Sequence, residues 1–393
     1  MDISHYFSPV AIHPKPLICE DAMVIMANKM VVYTEDSEFP EVPKGALVLF
    51  GVPDDRSSVG NRGCAAAPDA IREYLYALAV PQSDVAMYDL GNLIPGKEVE
   101  DTYYALIDVL QDLLDRQVTV VLLGGGQDLT YAVYKTYEVL GRIVNICSVD
   151  SRFDIFDAPK VTSRSYLNHI IMQQPNYLFN YTVMGYQSYL VGNDHIKLMN
   201  DLNFDAYRLG VLQEDMQRAE PLVRNADMVS VDIGAVRQSD APANAYPSPH
   251  GFYGEQLCQI ARFAGFSDKV SVFGLFELNP PFDQMGQTAH MVAHAIWYFI
   301  EGYQHRQADF PYIDQTNYKR FVVYMDAQDM EIVFYKSRKT DRWWVEVPCE
   351  NEEFRQRYMR HLIIPCTYAD YKRAMQNEIP ELWWRYYQRI LQW

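Results

Sequence analysis

Short, almost wholly apolar runs recur along the chain at 46–52, 118–123, 143–149, 181–185, 207–212, 228–233 and 270–276. Runs of that length, apolar at every position, read as strands buried on both faces. Between them lie stretches with helical spacing: from 68 onward, over 101–116, up to about 140, and over 215–225, 252–265 and 286–303. The stretch from Pro68 shows why. Pro68 suits a first turn, Asp69 suits the positive end of the helix dipole, and Ile71, Tyr74, Leu75 and Leu78 fall at i, i+3, i+4 and i+7. Strands that alternate with helices predict a mainly parallel sheet covered on both faces, so 46–303 is expected to be one α/β domain.

The flanks read differently. Residues 1–45 carry Pro14, Pro16, Pro40 and Pro43 and are expected to form an irregular arm with one short strand near 30–33. Beyond 304 the runs 321–325, 331–335 and 343–347 predict three short antiparallel strands, followed by helices over 351–361 and 367–391, a small α+β appendage. The last helical stretch places Leu382, Trp383, Trp384, Tyr386, Tyr387, Ile390, Leu391 and Trp393 around its whole circumference. One face can dock on the chain itself; the rest is expected to meet a second copy or another protein, with Arg385 and Arg389 at the rim.

Composition narrows the function. In 393 residues, 49% are hydrophobic, enough for a large core, and the net charge is −17. That balance repels nucleic acid and anionic membrane surfaces. No apolar segment approaches a membrane span and no basic, then apolar, leader opens the chain, so a cytoplasmic protein is expected. The six cysteines, Cys19, Cys64, Cys147, Cys258, Cys349 and Cys366, are scattered and fit reduced thiols.

The candidate chemistry lies where the strands end. Val149-Asp150-Ser151-Arg152-Phe153-Asp154 follows the run 143–149, and open α/β sheets place ligands at the carboxyl ends of their strands. Two carboxylates at i and i+4 of such a loop can converge on one cation. Other strand ends carry Gly124-Gly125-Gly126-Gln127, Ser230-Val231-Asp232-Ile233-Gly234, and Glu277-Leu278-Asn279-Pro280 with Asp283. Gly51-Val52-Pro53, Asn61-Arg62-Gly63 and Pro68-Asp69-Ala70-Ile71-Arg72 stand at the first.

In this order the motifs resemble the ureohydrolase superfamily of arginases, agmatinases and formimidoylglutamases, over about 46–303. The triple glycine and the segment from Ala241-Pro242 to Gly251 lean toward formimidoylglutamases. The resemblance implies a three-layer arginase-like fold and two manganese ions bridged by a hydroxide that attacks a guanidinium or formimino carbon. Of six implied ligands, Asp150, Asp154 and Asp232 are present, while Gln127 and Arg152 stand for histidines and Gly234 for an aspartate. One implied site keeps Asp150, Asp154, Asp232 and Gln127. The other loses both of its private ligands and receives a guanidinium, which cannot ligate a metal.

Arg152 is therefore expected to replace the lost ion's charge in a salt bridge to Asp150 or Asp232. The expected function is a ureohydrolase-like pseudoenzyme, a binding or scaffold protein with no catalytic residue and no cofactor. The alternative is a hydrolase of a linear amidine that uses one divalent ion (Mn, Mg or Ca) at the residual site. Arg152, Glu277 and Asn61 are the expected ligand-binding residues, with a small cationic ligand against Glu277. Three histidines read as loop residues, His169, His195 and His250, are weaker candidates for stand-in ligands.

Overall fold

The computed structural model describes residues 2–15, 24–81, 85–326 and 329–391. Its main sheet is built from β1 (Phe7–Ser8), β2 (Val31–Val32), β3 (Leu47–Val52), β4 (Met87–Leu93), β5 (Thr119–Gly124), β6 (Val144–Val149), β7 (Leu178–Tyr186), β8 (Asp205–Arg208), β9 (Met228–Asp232) and β10 (Val272–Phe276). The order across the sheet is β1-β4-β3-β5-β10-β9-β6-β7-β8, with β2 also on β4; only β1 runs antiparallel. Gly274 of β10 lies level with Leu122 of β5 on one side and Ser230 of β9 on the other.

The central strands are buried along their whole length because each feeds two cores. Leu47 and Leu49 join one, with the helices Ala67–Leu75, Gly254–Phe266 and Gln287–Tyr303; Val48 and Phe50 join the other, with Val99–Asp115, Leu129–Val139 and Tyr166–Met172. This is the expected three-layer architecture. Among the described residues no helix is long and apolar enough to cross a membrane.

Three local expectations need correction. β4 was not foreseen, because Asp89, Gly91 and Asn92 interrupt its apolar pattern; Asp89 is nevertheless fully buried, paired with Arg72. The stretch 207–212 is not one strand: β8 stops at Arg208 and a helix, Leu209–Glu214, follows at once. The expected helix 367–391 is two, Tyr368–Met375 and Glu381–Leu391, separated where Asn377 takes a left-handed φ of 65° and Pro380 follows.

The C-terminal strands β11 (Tyr318–Met325), β12 (Met330–Ser337) and β13 (Trp343–Glu346) are joined by an unforeseen β14 (Ile363–Cys366) in an antiparallel sheet. This region docks on the amino ends of the main strands. Arg360 pairs with Asp227, Arg224 donates to the Trp343 carbonyl at 3.1 Å, and Asn180 donates to the Tyr386 hydroxyl at 2.8 Å. It therefore covers the end of the sheet opposite to the loops that carry the motifs.

The aromatic helix is mostly core. Trp383 and Tyr386 are fully buried, and Trp383 donates to the Glu346 carbonyl at 2.7 Å. Arg389, expected at a rim, is buried over the Tyr386 ring and bonds the Asn203 carbonyl. Only Trp384 and Leu391 are large apolar groups left exposed on this helix; Trp393, like Cys19, lies outside the described residues. Trp383→Ala should accordingly cost about 3–5 kcal/mol in a denaturant titration, the usual range for a buried tryptophan. A cost below 1 kcal/mol would mean that this helix does not dock as described.

His361 sits in the same junction, 1% exposed, with its ring 4.8 Å from that of Phe179. Burial, then the charges of Lys269 and Arg360, hold it well below the usual histidine range. The unfolded chain takes up that proton near pH 6.5 and the folded one does not. Stability is thus complete above pH 6.5 and falls as pH drops below it, by up to about 1.4 kcal/mol per unit for this group. Urea unfolding at pH 7.5 and 5.5 should show that loss shrinking in His361→Leu; equal losses in both proteins would remove His361 as its source.

Candidate active site

Five neighbouring strands, β3, β5, β10, β9 and β6, bring their carboxyl ends together at one end of the sheet. The loop after β6 supplies Asp150 and Asp154, the end of β9 supplies Asp232, the loop after β5 supplies Gln127, and Glu277 follows β10. The glycines before Gln127 let the loops meet: a Cβ on Gly125 would lie 2.1 Å from the Asp54 carbonyl oxygen. Two of the carboxylates sit on left-handed backbone, Asp154 at φ 50° and Glu277 at φ 64°. Non-glycine residues held there cluster at functional sites.

Asp150 and Asp154 are buried, 2% and 4% exposed. Two of the aspartates give one oxygen each to the backbone: Asp150 Oδ1 accepts from the Arg152 amide at 2.8 Å, and Asp232 Oδ1 from the Gly234 amide at 2.6 Å. Burial pushes all three carboxyls up, Asp154 further through the Asp150 charge beside it and Asp232 likewise. The Asp150 and Asp154 carboxyls lie close enough for each to shift the other. Such a cluster is satisfied by protons or by a cation.

Gln127, fully buried, decides between those states. With its Nε2 toward the Ser148 and Ser230 hydroxyls, at 3.4 Å each, its Oε1 faces the carboxylates, acceptor against acceptor. Turned over, its nitrogen reaches Asp150 Oδ2 at 3.1 Å and Asp154 Oδ2 at 3.2 Å. The second orientation satisfies both ends of the amide within the chain, while the first does so only with a cation between the oxygens. The donor set is all oxygen and fits one hard divalent ion. It does not fit two, since Gly234 offers no side chain and Arg152 brings a positive charge. Among the described residues no group of three or more His, Cys, Asp or Glu is already arranged as a metal cage.

Arg152 does not do what was expected of it. It is half-buried, and among the described residues it forms no salt bridge with Asp150 or Asp232; only its charge reaches them, lowering both. Asn61 is also not free to bind a ligand. Its Nδ2 donates to Glu277 Oε2 at 2.8 Å and to the Glu277 carbonyl at 2.9 Å, and its Oδ1 accepts from Ala245 N and Asn279 Nδ2. It positions Glu277. That carboxylate also accepts from Ser58 Oγ at 2.6 Å and from the Gln127 amide at 3.0 Å.

The histidines lie away from the cluster's bonds, and two are helical rather than in loops: His169 within Tyr166–Met172, against the Ala158 carbonyl, and His195 within Asn193–Asp201, against Phe156. Sequence reasoning missed Ser58 and Arg164. Arg164, half-buried over the Tyr246 ring at 5.5 Å, places a second cationic field on Asp154 and Glu277. Neither residue carries a signal in one sequence, for both sit in polar loops.

The arginase family profile matches residues 46–301. A formimidoylglutamase of Rhodococcus jostii is 26% identical over 274 residues, 64% of this chain and 84% of that protein. One of Macrococcus caseolyticus is 23% identical over 291 residues, 70% of this chain and 90% of its own length. Among solved structures, formimidoylglutamase from Bacillus subtilis superposes with a TM-score of 0.65 at 16% identity, over 74% of this chain and 95% of that one. Trypanosoma cruzi formiminoglutamase, solved with Mn2+2, gives 0.64 at 18% identity over 72% of this chain and all of the other. The last finding overturns the expectation that no cofactor is involved, since the fold's solved relative holds its metal.

Proposed function

The chain belongs to the arginase family, and from that premise we propose that it is a metal-dependent hydrolase of a linear amidine of the formimidoylglutamate class, working with a single divalent ion. The observation that carries this reading is the pair of buried carboxyls Asp150 and Asp154, which burial pushes up and which a proton or one cation would satisfy. Asp150, Asp154, Asp232 and Gln127 would hold that ion, which supplies a water acidic enough to attack at neutral pH. The chain's own residues do the rest. Glu277 is fixed by Ser58, Asn61 and the Gln127 amide, which use three of the roughly four acceptor positions of a carboxylate. The remaining position can accept an N–H from an amidinium carbon's nitrogen and orient that carbon.

Elemental analysis after loading with manganese, together with ammonia or formamide release from formimidoylglutamate, tests the proposal. About one ion per chain with turnover supports it. Two ions per chain would remove the single-site reading; one ion without turnover, or none, would leave a non-catalytic scaffold.

Self-association through the C-terminal helix is supported only by the exposed Trp384 and Leu391. Trp384→Glu should lower the sedimenting mass if that strip is an interface, and an unchanged mass excludes it.

A further inference from the structure

Beside the buried carboxylate cluster, the loops after β7, β8 and β9 line a cleft of about 360 Å3. Among the described residues its walls include Arg208, Arg237, His250, Gln213 and Tyr189, and no Asp or Glu, in a chain of net charge −17. An acid-free, arginine-lined hollow is the exception on such a surface. The cleft is framed before any ligand arrives: Gln187 donates to the His250 carbonyl at 2.9 Å and Gln213 to the Gly251 carbonyl at 3.0 Å. Gly251 lies so close to the 235–237 segment that a Cβ would stand 2.5 Å from Arg237 N. Arg237 is held over the Tyr253 ring at 4.0 Å and paired with Asp240 at 2.9 Å. Arg208, at the end of β8, is exposed and forms no ion pair among the described residues.

We infer that this cleft is a binding site for a small dicarboxylate, with Arg208 as its principal anion contact. The volume stands at the low end of small-molecule sites, roughly 300–1,000 Å3. A guanidinium matches a carboxylate with two parallel hydrogen bonds, and here two guanidinium groups reach one cleft from separate elements, which suits two separated carboxylates better than one compact anion. Contact with the catalytic loop is direct: the Gln187 amide donates to the Ser151 carbonyl at 3.0 Å, and Tyr186 packs on Phe153 with ring centroids 4.9 Å apart. The acid bound here is either the acidic part of the hydrolase's own substrate or a separate effector.

Calorimetric titration of the full chain with glutarate decides the binding, with phosphate and cadaverine as controls. The expected result is glutarate binding weakened roughly tenfold or more in Arg208→Gln, as for loss of a charge-assisted contact, and partly kept in Arg208→Lys. Absence of glutarate binding, equal affinity for phosphate, or an unaltered Arg208→Gln overturns the inference. Because this readout needs no turnover, it stands or falls apart from the hydrolase reading. In the kinetic arm, a raised KM at unchanged kcat in Arg208→Gln assigns the cleft to the substrate's own acid; an unchanged KM in that variant, its glutarate binding weakened, assigns it to an effector.

Discussion

Asp154→Asn is expected to abolish divalent-ion binding and lower kcat/KM by about a thousandfold, while the metal-free protein melts no lower than the parent. The three effects have one cause. Asp154 is buried against Asp150, and burial together with that neighbour pushes its carboxyl well above the usual range. Removing its charge relieves the metal-free cluster of repulsion, and asparagine tolerates the left-handed φ of 50° that most side chains resist. The same change takes one of three anionic donors from the ion. A metal acting as Lewis acid and water activator contributes several kcal/mol at the transition state, and 1.36 kcal/mol is a factor of ten, so about three decades are at stake. Elemental analysis, steady-state kinetics and scanning calorimetry on the two proteins read all three effects. Retained metal with retained activity would show that Asp154 is packing and not a ligand. A large fall in the metal-free melting point would show that its charge is already neutralised within the chain.

The complementary change goes the other way. Arg152→His with Gly234→Asp restores the two donors that the second ion lacks. The backbone at Gly234 does not demand glycine, but a Cβ there would stand 3.1 Å from Asp232 Oδ1, so that carboxylate must shift by a few tenths of an ångström. Manganese content should rise from about one ion per chain toward two. If it stays at one, the Arg152 amide on Asp150 and the Gly234 amide on Asp232 hold those carboxylates in a geometry that cannot bridge.

The strands that build the site were legible because strands buried on both faces show as uninterrupted apolar runs, and polar residues at the ends of such runs have one place to go. That places Asp150, Asp154, Asp232, Gln127 and Glu277 together at one end of the sheet. The partners of those residues were not legible. Asn61 reads as a ligand group in sequence, yet its amide is consumed by Glu277, Ala245 and Asn279, three residues about two hundred positions away. Arg152 reads as a salt-bridge partner because it sits between two aspartates. The loop instead brings its backbone amide, not its guanidinium, to Asp150. The burial of Trp383, Tyr386 and Arg389 was hidden for a related reason: much of a helix's circumference can be covered by one chain when that helix is lodged between a small sheet and the amino ends of a large one.

Arg72→Met should destabilise the fold by roughly 3–5 kcal/mol, the usual cost of leaving a buried charge without its partner. Arg72 falls within the Pro68-to-Arg72 motif that points to the family, but its position is structural. It is 2% exposed and bonds Asp89 through both Nε, at 2.8 Å, and Nη2, at 2.9 Å. Its remaining donors reach the Asn92 side chain at 2.6 Å, the Gly91 carbonyl at 2.9 Å and Asp69 at 3.1 Å. Asp89 also accepts from the Tyr76 hydroxyl and the Gly91 amide, so the pair ties the helix Ala67–Leu75 to β4, the strand whose polar residues hid it from the apolar pattern. Removing the arginine alone leaves a fully buried carboxylate with two neutral donors. Removing both charges, in Arg72→Met with Asp89→Leu, takes away the uncompensated ion and should restore a large part of the loss, though the freed Tyr76 hydroxyl and Gly91 amide keep it short of the parent. Equilibrium unfolding in urea of the parent, the single and the double variants measures the cycle. If the single variant loses less than 1 kcal/mol, or the double variant is no more stable than the single, the Arg72–Asp89 pair does not hold β4 in the sheet.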